Sequence, residues 1–175
     1  MPNVRGNIAA NKNFRGTDLQ GVTDLLNKYA AEFEINTPKR MAHFLAQVAH
    51  ESAEMRYTEE IASGAQYEGR KDLGNTMKGD GVRFKGRGLI QVTGRANYTQ
   101  YKKFCGFDVV SKPELLAQPI GAIRSAMWFW RSRKLNALAD GDSLATITKI
   151  INGGTNGFAS RQAYLAKAKL ALGVN

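Results

Sequence analysis

Apolar residues recur at three- and four-residue spacings in the first part of the chain and again near its end, and they lose that rhythm in a glycine-rich middle. In "TDLQGVTDLLNKYAAEF", Leu19, Val22, Leu25, Leu26 and Tyr29 share one face, which predicts a helix started by Thr17. "NTPKRMAHFLAQVAHESAEM" predicts a second helix, with Thr37 as N-cap and Pro38 in the first turn. Eight glycines lie between Ser63 and Gly94, at 64, 69, 74, 79, 81, 86, 88 and 94. That segment reads as loop, with "LIQVT" as a short strand inside it. The helical period returns in "KPELLAQ", "PIGAIRSAMWFWRSRK", "DSLATITKIING" and "SRQAYLAKAKLALG". The expected architecture is mostly α, with two helical lobes flanking a cleft and a short β-element among glycine-rich loops in the middle.

One residue breaks the pattern of the second helix. With successive residues about 100° apart, Met41, Leu45 and Val48 share an arc with Phe44, and Glu51 falls about 20° from Phe44 at the edge of that arc. A carboxylate turned toward a core must be paired, or else keep a proton. Pairing would make Glu51 structural, with Arg87 or Arg161 as partner. A retained proton would make it a general acid. Acid hydrolysis of a glycosidic bond by inversion needs a second carboxyl about 6.5 to 9.5 Å away. Glu54, Glu59 and Glu60 follow, but nine helical residues would set Glu60 about 13.5 Å from Glu51. If Glu60 is the partner, the helix must stop near Met55 and the chain must fold back.

The 175 residues suit one domain with a hydrophobic core, and 43% hydrophobic with 23% charged residues is the balance of a globular protein. A net charge of +10, without a block of basic residues, points to a polyanionic partner: nucleic acid, membrane surface or wall polymer. No stretch is long and apolar enough to cross a bilayer, and "MPNVRGNIAANKNFRG" has no apolar leader segment. The single cysteine, Cys105, excludes an internal disulfide and reads as a core residue.

Other chemistries fit less well. His50-Glu51 lacks the second histidine of a zinc-protease helix, because position 54 is Glu54. "GDGVRFKGRG" has neither a phosphate-loop ending nor dinucleotide-binding spacing. "AMWFW" at 126 to 130 reads as core rather than a sugar-stacking patch. The net charge of +10 and the aromatics Phe84, Tyr98, Tyr101 and Phe104 among Lys and Arg suit nucleic acid, but no nucleic-acid motif accompanies them. No nucleic-acid partner, metal or cofactor is expected.

Taken together, "AHFLAQVAHES", Glu60 nine residues after Glu51, "YEGRKDLGNT", "GDGVRFKGRGLIQVTGRANY" and "INGGTNG" resemble glycoside hydrolase family 19. The likeness runs from about residue 26 to 175. It is nearer the bacteriophage endolysin and bacterial chitinase-like branch than the disulfide-bearing plant enzymes. The resemblance implies a lysozyme-like fold that cleaves β-1,4 links between N-acetylated amino sugars with inversion. It implies Glu51 as general acid, Glu60 as general base, and Thr93 as the group that helps hold the attacking water. Gln91, Asn97 and Asn152 match polar groups that line the sugar sites. Arg161 matches an arginine in the network around the acid, and Arg87 is placed near the cleft. Ala96 stands where plant members have tyrosine, and Asn156 where they have an acidic residue.

The expectation is therefore a single catalytic domain over residues 1–175, without a separate wall-binding domain, acting as a monomeric endolysin on the glycan strands of peptidoglycan. Chitin is the alternative polymer, and a non-catalytic wall- or nucleic-acid-binding module is the alternative of another class. Synthesis is expected in a host cytoplasm, with passage to the periplasm and wall through a separate release system. On this reading Glu51 stays protonated against apolar surroundings, and Glu51→Gln abolishes lysis while barely changing the melting temperature.

Overall fold

The computed structural model describes residues 12–14 and 19–174. Helix α1 spans Leu19–Ala30, and Val22 and Leu26 on its predicted face are buried. The expected cap, Thr17, lies outside the described residues. Helix α2 spans Pro38–Glu51. Thr37 is extended, with φ −119°, and its hydroxyl accepts a hydrogen bond from the Arg40 amide at 3.2 Å, as expected of an N-cap followed by proline.

The remaining helices are α3 (Asp80–Arg83), α4 (Arg95–Cys105), α5 (Pro119–Ser132), α6 (Leu135–Asp140), α7 (Leu144–Asn152) and α8 (Phe158–Ala171). "KPELLAQ" becomes a 3-10 helix over Pro113–Ala117, since proline and a short apolar turn suffice for one tight turn but not for a longer helix. The main core gathers Phe44, Val48, Leu89, Tyr101, Ile123 and Trp130. Phe44 meets Trp130 edge-on with centroids 5.6 Å apart, which ties α2 to α5. "AMWFW" is core as expected, and Cys105 is buried. A second, smaller cluster of Ala42, Ala46, Leu144 and Leu165 joins α2, α7 and α8. Helices α2 and α8 pack along each other more extensively than any other pair of elements.

The strand expected at "LIQVT" does not form. Among the described residues, β-structure is limited to isolated antiparallel bridges, Glu59 to Arg87 and Arg87 to Val92. Arg87 and Val92 exchange backbone hydrogen bonds of 3.1 and 2.8 Å, closing a turn over residues 88–91. The Leu89 amide donates to the Ala122 carbonyl of α5 rather than to a ladder. A short apolar run bounded by glycines looks the same in sequence whether it is a buried strand or a buried turn. Here burial of Leu89 and Ile90 is achieved by the turn, with Gln91 left-handed at φ 56°.

Candidate active site

Helix α2 ends at Glu51, four residues earlier than the fold-back to Glu60 was expected to need. Ala53, Glu54 and Met55 are all left-handed, at φ 48°, 59° and 66°. Left-handed backbone without glycine costs about 1 to 3 kcal/mol per residue and persists only where the surroundings impose it. Buried Ser52 imposes it. Its hydroxyl donates to the Val48 carbonyl at 2.6 Å and accepts from the Met55 amide at 2.8 Å. The Glu54 amide returns to Ala49 at 2.7 Å, and the Glu54 carboxylate accepts from the Tyr164 hydroxyl at 2.9 Å. The chain thus leaves Glu51 through a strained turn and arrives at Glu60 with its direction changed.

The Glu51 carboxylate accepts from the Arg161 guanidinium at 2.5 Å. Arg161 is 1% exposed. Its other terminal nitrogen donates to the Gln47 amide oxygen, and Gln47 in turn donates to Thr148 at 3.3 Å. This corrects the expectation that apolar surroundings enclose Glu51: the side chain is held by a polar network of α2, α7 and α8. Arg161, buried beneath the carboxylate, stands in the network around Glu51 rather than on a surface open to a polymer. Exposed Asn152, the last residue of α7, donates to the Asn156 carbonyl at 3.3 Å, and Arg161 Nε reaches the same oxygen at 3.4 Å. Asn152 is therefore on the Glu51 side of the molecule.

Glu59 and Glu60 point to opposite sides, as neighbours in extended backbone do. Glu59 pairs with Arg87 at 3.0 Å and with Lys85 at 3.5 Å. Arg87 also donates to the Arg83 carbonyl at 2.8 Å and the Tyr98 hydroxyl at 3.1 Å. It is buried, a strut inside the protein rather than the cleft residue expected. Glu60 has no ion pair among the described residues. Its Oε1 accepts from Gln66 Nε2 at 2.9 Å and from the Tyr67 hydroxyl at 3.1 Å, and its Oε2 accepts from the Gly86 amide at 3.1 Å. Burial and the facing Glu60 push the Tyr67 phenol up, so it remains a donor at neutral pH.

Glycine contacts fix the segment that carries Gln66 and Tyr67. Gly64 is left-handed at φ 87°, and a Cβ there would lie 2.6 Å from the Gly81 carbonyl oxygen. A Cβ on Gly81 would lie 2.5 Å from the Glu68 amide nitrogen. Backbone meets backbone at this point, and the exposed Glu68 carboxylate closes it by accepting from the Gly79 and Gly81 amides at 2.6 and 2.8 Å.

Gln91, Thr93 and Asn97 form a hydrogen-bonded series on the Glu60 side. Gln91 donates to the Gly88 carbonyl at 2.9 Å, Thr93 to the Gln91 carbonyl at 2.9 Å, and Asn97 to the Thr93 carbonyl at 2.7 Å. All three are part-exposed. A Cβ on Gly86 would lie 2.7 Å from Gln91 Oε1 and 3.3 Å from Glu60 Oε2, so glycine keeps open a space that both oxygens face.

The structure thus gathers Glu51, Asn152 and Arg161 into one cluster and Glu60, Gln91, Thr93 and Asn97 into a second, joined by the turn over residues 52–59. Gln47, Thr148, Gln66 and Tyr67 were not anticipated. Gln47 carries a sequence signal, a polar residue four positions before Glu51 on the same helix face; the others carry none. An apolar cavity of about 300 Å³ between α1, α2 and α8 is lined by Leu26, Leu45, Met55 and Tyr164, and neither Glu51 nor Glu60 lines it. Phe84, Tyr98 and Tyr101 are buried, which removes them as stacking platforms for nucleic acid.

Comparison with known proteins identifies the arrangement. The family model described as chitinase class I, glycoside hydrolase family 19, matches residues 5–146. That match starts before the stretch whose motifs resemble the family and stops short of Asn152 and Arg161. A glycosyl hydrolase family 19 domain-containing protein of Haemophilus influenzae is 37% identical over 103 residues, covering 58% of this chain and 49% of that protein. An endochitinase of Arabidopsis thaliana is 36% identical over 117 residues, covering 66% and 40%. The chain thus spans less than half the length of these curated relatives. Chitinase C from Streptomyces griseus superposes with TM-score 0.73 at 22% identity, over 98% of this chain and 75% of that one. A class IV chitinase from Zea mays superposes with TM-score 0.74 at 21% identity, over 98% and 91%. These likenesses bear out the mostly helical, lysozyme-like architecture. With most of its length matched by the family model, the chain belongs to glycoside hydrolase family 19.

Proposed function

We propose that this chain hydrolyses β-1,4-glycosidic bonds between N-acetylated amino sugars with inversion, and that its polymer is the glycan strand of peptidoglycan. The observation that carries the reading is Glu60: a carboxylate held by three neutral donors, without a cation, on the segment that follows the Glu51 helix. Glu51 is the general acid: Arg161 contacts its Oε1, its other oxygen carries the proton that passes to the leaving glycosidic oxygen, and Arg161 then faces the carboxylate left behind. Glu60 is the general base and takes a proton from the water that attacks the anomeric carbon. Thr93, whose hydroxyl proton is committed to the Gln91 carbonyl, has lone pairs left to accept from that water. Gln91, Asn97 and Asn152 offer part-exposed or exposed polar groups to the sugars. Arg161 holds Glu51 in place.

The choice of peptidoglycan is supported by the net charge of +10, which favours an anionic wall over a neutral polysaccharide. In this reading the protein is an endolysin made in a host cytoplasm and delivered to the wall by a separate release system. Chitin is the second reading, favoured by the endochitinases among the relatives.

Mass spectrometry of products from purified sacculi and from chitin oligomers tests both. New reducing ends from sacculi are expected, starting as the α-anomer, with only a small residual rate from Glu51→Gln or Glu60→Gln. A muramic acid end identifies a muramidase, and an N-acetylglucosamine end a glucosaminidase. Release from chitin alone moves the substrate to chitin, and release from neither polymer overturns the hydrolase reading.

A further inference from the structure

We propose that Gln66 and Tyr67 are positioning residues for the base, occupying Oε1 of Glu60 so that Oε2 alone receives the proton of the attacking water. The inference rests on the reading of Glu60 as general base and adds two residues to it. An ionised carboxylate is acceptor-only and offers about four lone-pair positions. Oε1 already accepts from Gln66 Nε2 and the Tyr67 hydroxyl, and Oε2 accepts from the Gly86 amide. One position is left, on Oε2, and Oε2 is the oxygen that faces the space over Gly86 shared with Gln91 Oε1.

The donors are suited to this task because they are neutral. A cation in contact with a base carboxylate would hold it but also favour its ionised form over the protonated one; here the side-chain ion pairs of Lys85 and Arg87 go to Glu59 instead. The backbone is fixed as well. The Glu60 amide donates to the Gly86 carbonyl at 2.9 Å, and Lys85 Nζ donates to the Glu60 carbonyl at 2.9 Å. The carboxylate therefore has a fixed origin at its backbone and a fixed rotation at its tip.

The step balances with the residues already named. A water O–H bond breaks and its proton passes to Glu60 Oε2, while the water oxygen forms the bond to the anomeric carbon. The glycosidic C–O bond breaks, and its electron pair leaves with the oxygen that takes the Glu51 proton. Gln66 and Tyr67 exchange nothing; they set where the first proton goes.

A double-mutant cycle on the rate of reducing-end release tests this. Tyr67→Phe and Gln66→Leu each remove one donor, and each is expected to lower kcat about ten- to a hundredfold with KM unchanged. Gln66→Glu, which sets a second carboxylate against Glu60, is expected to lose more than Gln66→Leu. In a Glu60→Gln background neither Tyr67→Phe nor Gln66→Leu should lower the residual rate further, because both act through Glu60. An equal loss in that background overturns the proposal, and so does a rise in KM at constant kcat, which would make the two residues sugar contacts. Gln66 is exposed, so its variants keep the test open if Tyr67→Phe fails to fold. If Glu60→Gln alone retains the full rate, the base assignment fails, an outcome distinct from failure of the two positioning residues.

Discussion

Glu51 and Glu60 are both carboxylates on the polar side of the proposed chemistry, yet they are held by opposite means. Glu51 is the counter-charge of a guanidinium that is 1% exposed, whereas Glu60 is held by amide and hydroxyl donors alone. The difference changes what a glutamine replacement does. Glutamine at position 51 leaves the buried Arg161 guanidinium facing neutral acceptors only, among them Gln47 and the Asn156 carbonyl, at a cost of about 1 to 3 kcal/mol. Glu51→Gln is therefore expected to lower both activity and the urea midpoint, contrary to the sequence-based expectation of an unchanged melting temperature. Glu60→Gln is expected to lower activity alone. Equal stability of the two variants would show that the Arg161 contact contributes nothing. The helical period made Glu51 visible as an anomaly on an apolar edge, and Arg161 was one of two candidate partners. Which arginine is buried there depends on the packing of α8 against α2, and no local pattern encodes that.

At the scale of elements, the helices were legible because their apolar stripes are long and regular, and the cap at Thr37 with Pro38 marks its own position. The middle third was legible only as loop. Its turn from Glu51 to Glu60 contains three left-handed residues and no glycine, so the place where α2 ends has no signature; it is set by the Ser52 hydroxyl and the buried Met55. Two glycines in the same third have different roles despite equal prominence in the sequence. Gly81 lies against the backbone of Gly64 and Glu68, where a Cβ meets atoms that cannot step aside, while Gly79 has open space around it and a φ of 88°. Gly81→Ala is expected to cost about 1 to 3 kcal/mol through overpacking and to lower activity by shifting the segment that bears Gln66 and Tyr67. Gly79→Ala meets only backbone strain, about 1 to 2 kcal/mol, and is expected to leave the rate of reducing-end release close to that of the parent. Denaturant midpoints and rates measured on the two variants separate packing from strain.

For the molecule as a whole, net charge is the property that bears on which polymer attracts it. Peptidoglycan carries carboxylates on its stem peptides, and chitin is neutral, so a protein of net charge +10 is drawn to the first and indifferent to the second. Much of that charge stands in solvent: Lys71, Lys78, Lys103, Lys112 and Lys149 are exposed on separate elements. Attraction spread over a surface in this way acts over a Debye length, which shrinks from about 30 Å at 0.01 M salt to about 8 Å at 0.15 M. The two carboxylates proposed for the chemistry and their hydrogen bonds act at contact distance and are little affected by that change. Raising salt across this range is therefore expected to lower kcat/KM on sacculi severalfold, with the loss in adsorption, and to leave turnover of a neutral oligomer, where one is cleaved, nearly constant. Hydrolysis of sacculi that is independent of salt would mean that the positive charge takes no part in finding the wall, and the case for peptidoglycan over chitin would then lose its physical basis.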